Sequence, residues 1–475
     1  MAISYWIMYL LPEIATVLAI FITIAYGLWR DQSRDYLVLI GLTLCLSYTS
    51  ESHLIANQLY IADAFSWFSK LIITCLTAIV LWISGPIFRP RELLKFEYNV
   101  LILFAMLGAF VMVSAHDLLT LFIGLELQAL SLYVLTGMCR DQLISTEAAI
   151  KYFVLGALSS GIFLYGCSLI YGYAGTTNFA LLQKLFTQYD TLPVAPVIGF
   201  VFIFVAFAFK LALVPFHAWL PDVYQGTPGV VTAFLATVPK FAAIMAFIRL
   251  LMQPFSSFFH YWQIMIAGLI VASVIIGALG ALMQQHLRRL LAYSSIGHIG
   301  FVCLGFMAGE ASAIISIVLY MIIYMITLVG IFATLLQLHA RGHGIELMED
   351  LAGLNHSYPY HAFILATLLF SLAGIPPLAG FWVKFYILQS AVAAGWYGLS
   401  ITVVLAGVVS AFYYLRLIKV MYFDGAVDTS LNVSGQLSNK VIMTLSAVTS
   451  LGFAILLGGS VTWVTPAIQS IATGW

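Results

Sequence analysis

Glu126, Lys210, Lys240 and Lys384 stand in otherwise apolar runs. Lys210 lies about 15 residues into its run, Lys240 about 12 and Glu126 about 9. At about 1.5 Å of rise per residue, that depth is well inside a hydrocarbon core about 30 Å thick. Charges placed there face a bundle interior or a hydrated cavity and pair with one another. Three lysines and one glutamate leave two cations without a carboxylate. Desolvation and like-charge repulsion then favour the neutral amine, so the set can load and release protons near physiological pH. The alternative is structural glue, in which Glu126 neutralises one lysine and ties two helices together. Lys384 comes late in its run, after Gly374, Pro376, Pro377 and Gly380, and is assigned to the same interior set. Lys70 opens its run and reads as a side chain snorkelling to the interface.

The backbone around these lysines is broken. Pro215 follows Lys210 by five residues, and Pro376-Pro377 precedes Lys384. Proline frees carbonyls that only protein or water can satisfy inside a bilayer, and interrupted helices in both halves of a chain point to a transport pathway. A kink for packing is the plainer alternative. His217, just past Pro215, and His298, in the polar stretch Tyr293-Ser-Ser-Ile-Gly-His298, are possible relays, because neutral imidazole accepts at one nitrogen and donates at the other. Hydrogen-bonded glue is the competing role for each. Lys151 follows Glu147 by four residues and reads as a helix-surface pair. Glu13 and Asp222 read as interfacial.

The elements that must position these groups follow from composition. The chain has 475 residues, 63% hydrophobic and 8% charged, with nineteen Lys plus Arg against nineteen Asp plus Glu. A soluble chain carries about a quarter charged residues, and nucleic-acid binding needs a basic excess. Both classes are excluded, leaving an all-α integral membrane protein in the lipid bilayer. About fourteen transmembrane helices are expected, near 5–28, 36–50, 66–86, 98–115, 117–137, 147–172, 195–218, 228–250, 262–284, 290–308, 311–338, 361–390, 396–421 and 441–468, with the seventh and twelfth interrupted. No connection is long enough for a soluble domain.

The positive charges orient the spans. Arg30, Arg34, Arg89, Arg91, Lys95, Arg140, Lys151, Arg288, Arg289, Arg341, Arg416, Lys419 and Lys440 follow odd-numbered spans, and only Lys184 and Arg249 follow even-numbered ones. Since cytoplasmic loops carry the excess of Lys and Arg, both termini are expected outside. Cys45, Cys75, Cys139, Cys167 and Cys303 are scattered singly, so no metal or redox-centre motif is read on this chain. There is no P-loop, no H-E-x-x-H and no nucleophile elbow.

At Gly124-Leu-Glu126-Leu, Phe209-Lys210 through His217 to Thr227-Pro228, Val238-Pro-Lys240, Leu291-Ala-Tyr-Ser-Ser-Ile-Gly-His298 and Gly380-Phe-Trp-Val-Lys384-Phe-Tyr, the sequence resembles the antiporter-like membrane subunits of proton-pumping NADH:quinone oxidoreductase, respiratory complex I. The similarity runs from about residue 90 to 425. M-type members carry a glutamate where Lys384 stands and L-type members are much longer, so the chain is most similar to the bacterial N-type branch. The resemblance implies a proton-transfer set of Glu126, its partner Lys210, the bridging Lys240 and the terminal Lys384. His217, His298 and Lys151 are possible relays, with Lys151 raised in interest by matching a family lysine. It implies two inverted five-helix repeats, 98–250 and 262–422, flanked by a three-helix segment at 1–97 and a C-terminal helix at 423–475. No carboxylate in the second half mirrors Glu126.

It further implies that NADH, FMN, iron-sulfur clusters and quinone belong to partner subunits, none binding this chain. Those partners would be M-type and K/J/A-type neighbours in a bacterial inner membrane, with both termini periplasmic. A subunit of a cation/proton antiporter or of a hydrogenase-type membrane arm would use the same buried charges, and a structural scaffold is the third reading. Copurifying NADH-oxidising subunits favour the first; loss of assembly without loss of pumping favours the last.

Overall fold

The computed structural model describes residues 9–29, 53–55, 58–88, 96–189, 191–340, 343–425 and 431–472. The span expected at 36–50 lies outside them, as do Arg30, Arg34, Arg89, Arg91, Lys95, Arg341 and Cys45. Helices follow one another: α1 Leu11–Trp29, α2 Ala64–Phe88, α3 Phe96–Ser114, α4 Leu118–Thr136, α5 Leu143–Ala174, short α6 Phe179–Phe186, α7 Val194–Lys210, short α8 Trp219–Gly226 and α9 Gly229–Met252. Then come α10 Phe259–Leu282, α11 Leu287–Cys303, α12 Ala311–Gln337, the single turn α13 Leu354–Ser357, α14 Pro359–Ala373, α15 Ala379–Ala393, α16 Tyr397–Phe423 and α17 Leu437–Ala472. Two small antiparallel sheets join loops: His53–Ile55 with Tyr60–Ala62, and Leu338–Ala340 between His343–Gly344 and Asn432–Val433.

Among the described residues ten segments are long and apolar enough to cross a membrane, and α7 and α14 are shorter apolar helices. The chain is therefore a mostly helical, multi-span membrane protein. Helices dominate because hydrocarbon offers no partner to a backbone amide, which must find one within its own segment. Their ends are closed locally. The Asp117 carboxylate accepts from Leu119 N (2.8 Å) and Thr120 N (3.3 Å) at the start of α4, and Gly175 ends α5 in the left-handed region at φ +68°.

Burial sorts the helices. The apolar window of α9 is 94% buried, against 33% for α5 and 28% for α16. Lys240 therefore rides on the central helix, while α5 and α16 present their outer faces to whatever surrounds the chain. Both expected interruptions are seen. α7 stops at Lys210 and the chain turns through 211–218 before α8 begins. The exposed backbone is met by side chains: Val214 N–H donates to Ser273 Oγ (2.9 Å), and Trp219 Nε1–H donates to Phe209 O (3.1 Å). α14 stops at Ala373, with Gly374 at φ +85°, and α15 resumes after Pro376-Pro377.

Three charges lie elsewhere than their sequence context suggests. Lys70 does not snorkel: it is buried and pairs with Glu13 at 2.7 Å. Glu13 is correspondingly interior, not interfacial, and accepts also from the Tyr60 hydroxyl. Arg249 is not a loop cation; it is 1% exposed and bound to Asp63. Each cation is drawn inward because a carboxylate from another helix or its cap is already there, and an unpaired one could not stay.

Two consequences are testable. A Cβ on Gly380 would fall on the Ser371 carbonyl at the break. Gly380→Ala should therefore destabilise the protein by roughly 1–3 kcal/mol, the usual range for overpacking, seen as a lower thermal unfolding midpoint. His116, in the turn between α3 and α4, is pushed down from 6.5 to about 4, by burial first and then by the Arg249 charge. The folded state thus binds this proton less readily than the unfolded chain. Its stabilising contribution is complete above 6.5 and is lost as pH falls toward and through about 4. Thermal midpoints measured across that window should fall, and His116→Gln should flatten that part of the profile.

Candidate functional site

The first half of the site is built where α4, α5, α7 and α9 meet. Gly124 lets α4 approach α3, since a Cβ there would press on the Met112 backbone at 2.7 Å, and two residues on, Glu126 faces α5. Its carboxylate accepts from the Ser160 hydroxyl. Lys210 is the last residue of α7, where the half-helix ends. Its Nζ is buried without a hydrogen-bond partner. Glu126 and Lys210, implied by the family resemblance to be partners, are close enough for their charges to interact but make no direct ion pair here, the carboxylate accepting from Ser160. Lys210 and Lys240 instead line one cavity, together with Gln128, Tyr152, Trp219 and Pro239.

Lys240 is 2% exposed. It follows Pro239 in α9, where the missing amide loosens the helical ladder. The ammonium donates to the Ser295 hydroxyl of α11 and stands 5.0 Å from the centre of the Tyr224 ring on α8. The ring face offers a desolvated cation what water would otherwise supply.

Ser295 and His298 share one face of α11, three residues apart. His298 is held at both nitrogens, Nδ1 to the Tyr320 hydroxyl (2.7 Å) and Nε2 to the Tyr414 hydroxyl (3.0 Å), and stacks on Tyr324 at 4.7 Å. Ser294 reaches the same Tyr414 hydroxyl. A neutral imidazole between two hydroxyls, each able to donate or accept, is a switchable link.

Lys384 completes the set. Its Nζ donates to Leu372 O (2.7 Å) and Ala373 O (3.2 Å), the carbonyls released where α14 breaks. The Phe301 ring lies 5.8 Å away. Lys384 and His298 line two further cavities, one with Tyr320, Tyr324, Ser371 and Gly380, the other with Ser294, Ser410 and Tyr413. In place of the carboxylate missing from the second half, backbone oxygens at a helix C-terminus face the cation.

Two candidates fall elsewhere. His217 sits in the turn between α7 and α8, its Nδ1 buried and unpartnered, and does not line the cavities that hold the lysines. Lys151 pairs with Glu147 (2.7 Å) and Asp222 (2.7 Å), and Asp222 also binds Arg289 at 2.6 Å. This partly exposed clamp joins α5, α8 and α11. Burial alone would raise the Asp222 carboxyl, but hydrogen bonds from Lys151 and then Arg289 hold it below its ordinary value. Sequence reasoning missed Ser160, Ser295, Tyr320, Tyr324 and Tyr414. Tyr293-Ser-Ser carried a signal for Ser295, but Ser160 and the tyrosines have none, since tyrosine in a membrane chain reads first as an interface residue.

The transmembrane family model of NADH:quinone oxidoreductase and the Mrp antiporter matches residues 115–410. NADH-quinone oxidoreductase subunit N of Paramagnetospirillum magneticum is 41% identical over 471 residues, 97% of this chain and 96% of that protein. Subunit N of Pelagibacter ubique is 42% identical, covering 92% and 95%. Among solved structures, a chain of respiratory complex I from Thermus thermophilus with bound aureothin superposes with a TM-score of 0.81 at 29% identity, over 96% of this chain and 99% of that one. A chain of the Mrp complex from Dietzia shares the fold, with a TM-score of 0.78 at 20% identity over 98% of each. The chain thus belongs to the subunit N group of NADH-quinone oxidoreductase, within the wider NADH:quinone oxidoreductase/Mrp antiporter membrane family.

Proposed function

We propose that this chain carries protons across the membrane as a subunit of an NADH-quinone oxidoreductase, driven by redox chemistry on its partners. The observation that carries the reading is the sequence of contacts inside the bundle. Lys210 and Lys240 line one cavity, Lys240 reaches Ser295 on α11, and His298, on the same helix, shares two cavities with Lys384. Glu126 opens the series. When its carboxylate turns from Ser160 to Lys210 the ammonium is stabilised, and when it turns back the proton is free to move to Lys240. Ser295 and His298 with its tyrosines then lead toward Lys384. An electrostatic change at one end can thus move protons without electrons passing through the chain.

The assembly around this series follows the same reading. About fourteen spans form two inverted five-helix repeats, 98–250 and 262–422, flanked by 1–97 and 423–475. The excess of Lys and Arg after odd-numbered spans supports termini on the periplasmic side of a bacterial inner membrane. NADH, FMN, iron-sulfur clusters and quinone would reside on other subunits, with M-type and K/J/A-type subunits as membrane neighbours.

Lys210→Ala and Lys240→Ala in the assembled complex should each reduce proton pumping and coupled quinone reduction by about a hundredfold. NADH oxidation by a water-soluble acceptor should be unchanged. Lys240→Arg should be impaired as well, because a guanidinium does not release its proton. Intact pumping in the alanine variants overturns the proposal, and a loss confined to the amount of assembled complex favours a scaffold.

A further inference from the structure

We infer that Arg249 and Asp63 are positioning residues for Lys240: together they lock the rotation of α9, so that the lysine meets Ser295. The inference rests on the role proposed for Lys240. Arg249 and Asp63 are each buried, with side chains 1% exposed. The guanidinium grips the carboxylate with both ends of its fork, at 3.0 and 2.8 Å, and its Nε–H donates to Val113 O at 3.2 Å. The Phe65 ring lies against it at 5.1 Å. Asp63 is itself fixed at the start of α2, where its Oδ1 accepts from Ser66 N (2.8 Å) and its own N–H donates to Ser66 Oγ (3.0 Å). Arg249 is thus tied to α2 by its fork and to the end of α3 by Nε.

Lys240 and Arg249 are nine residues apart on one helix. At about 3.6 residues per turn that is two and a half turns, so the two side chains leave opposite faces of α9. One face reaches α11 through Ser295; the other is gripped by α2 and α3. Pro239, immediately before Lys240, leaves the helix ladder open at that level. Packing surrounds the segment beyond it, Lys240 to Met252, and a directional contact adds a fixed angle to that packing. The planar fork supplies one, because turning the helix would strip a buried charge of its partner. Glu13, Lys70 and Tyr60 extend the buried polar contacts from α2 to α1, which stiffens the support.

The test uses the whole complex. Arg249→Lys keeps the charge balance but loses the fork and the Val113 contact. It is expected to assemble at normal levels, oxidise NADH with a water-soluble acceptor at the normal rate, and show coupled turnover and pumping reduced by up to about a hundredfold, as a misplacement of about 1 Å does. The double variant Asp63→Asn/Arg249→Gln removes both charges and is expected to show the same low pumping per assembled complex. Wild-type pumping per assembled complex in either variant overturns the inference. Lys240→Ala, measured alongside, separates the two claims: if it pumps normally the proposed function fails, and if it does not while Arg249→Lys does, only the positioning role fails.

Discussion

Hydrocarbon offers no hydrogen bonds, and the rest of this structure depends on that constraint. A soluble protein can break a helix and let water close the gap. Here a broken backbone must be satisfied by groups the chain brings with it, at a cost of several kcal/mol for each one left open. The two interruptions are accordingly furnished with side-chain partners. Ser273 and Trp219 serve the first, and Lys384 and Ser371 serve the second.

That requirement also unites two lysines that the sequence places differently. Lys210 precedes its proline and Lys384 follows its own pair. In three dimensions each belongs to the break of a half-helix, Lys210 as its last residue and Lys384 by folding back from the next helix onto the Leu372 and Ala373 carbonyls, where its ammonium meets the helix end. A cation at the negative end of a helix is stabilised without a dedicated carboxylate. This accounts for a second half that keeps a half-buried lysine and has no counterpart of Glu126.

The same constraint gives the remaining buried charges a consistent form. Lys70 has Glu13, and Arg249 has Asp63; both pairs join separate segments, and both are shielded by an aromatic ring. The clamp at Asp222 differs because it is partly exposed, where ion pairs are worth about 1 kcal/mol or less. It aligns α5, α8 and α11 and stands apart from the cavities lined by Lys210, Lys240 and Lys384.

Apolar run length and charge placement alone were enough to establish a multi-span helical bundle and its two broken helices, and they singled out four ionisable residues deep in their spans, of which Lys240 is buried and Glu126, Lys210 and Lys384 are half-buried. Partnership was decided only by the tertiary fold. A snorkelling Lys70 and a paired one have the same sequence context; Glu13, brought alongside by packing, makes the difference. Arg249 near a span end reads as a loop cation until Asp63 is brought against it. Likewise Glu126 takes its hydrogen bond from Ser160, and His298 finds Tyr320 and Tyr414 from two other helices. Depth along a helix is a property of one segment and can be counted. The face a side chain meets depends on the rotation and neighbours of several helices, which no single segment encodes.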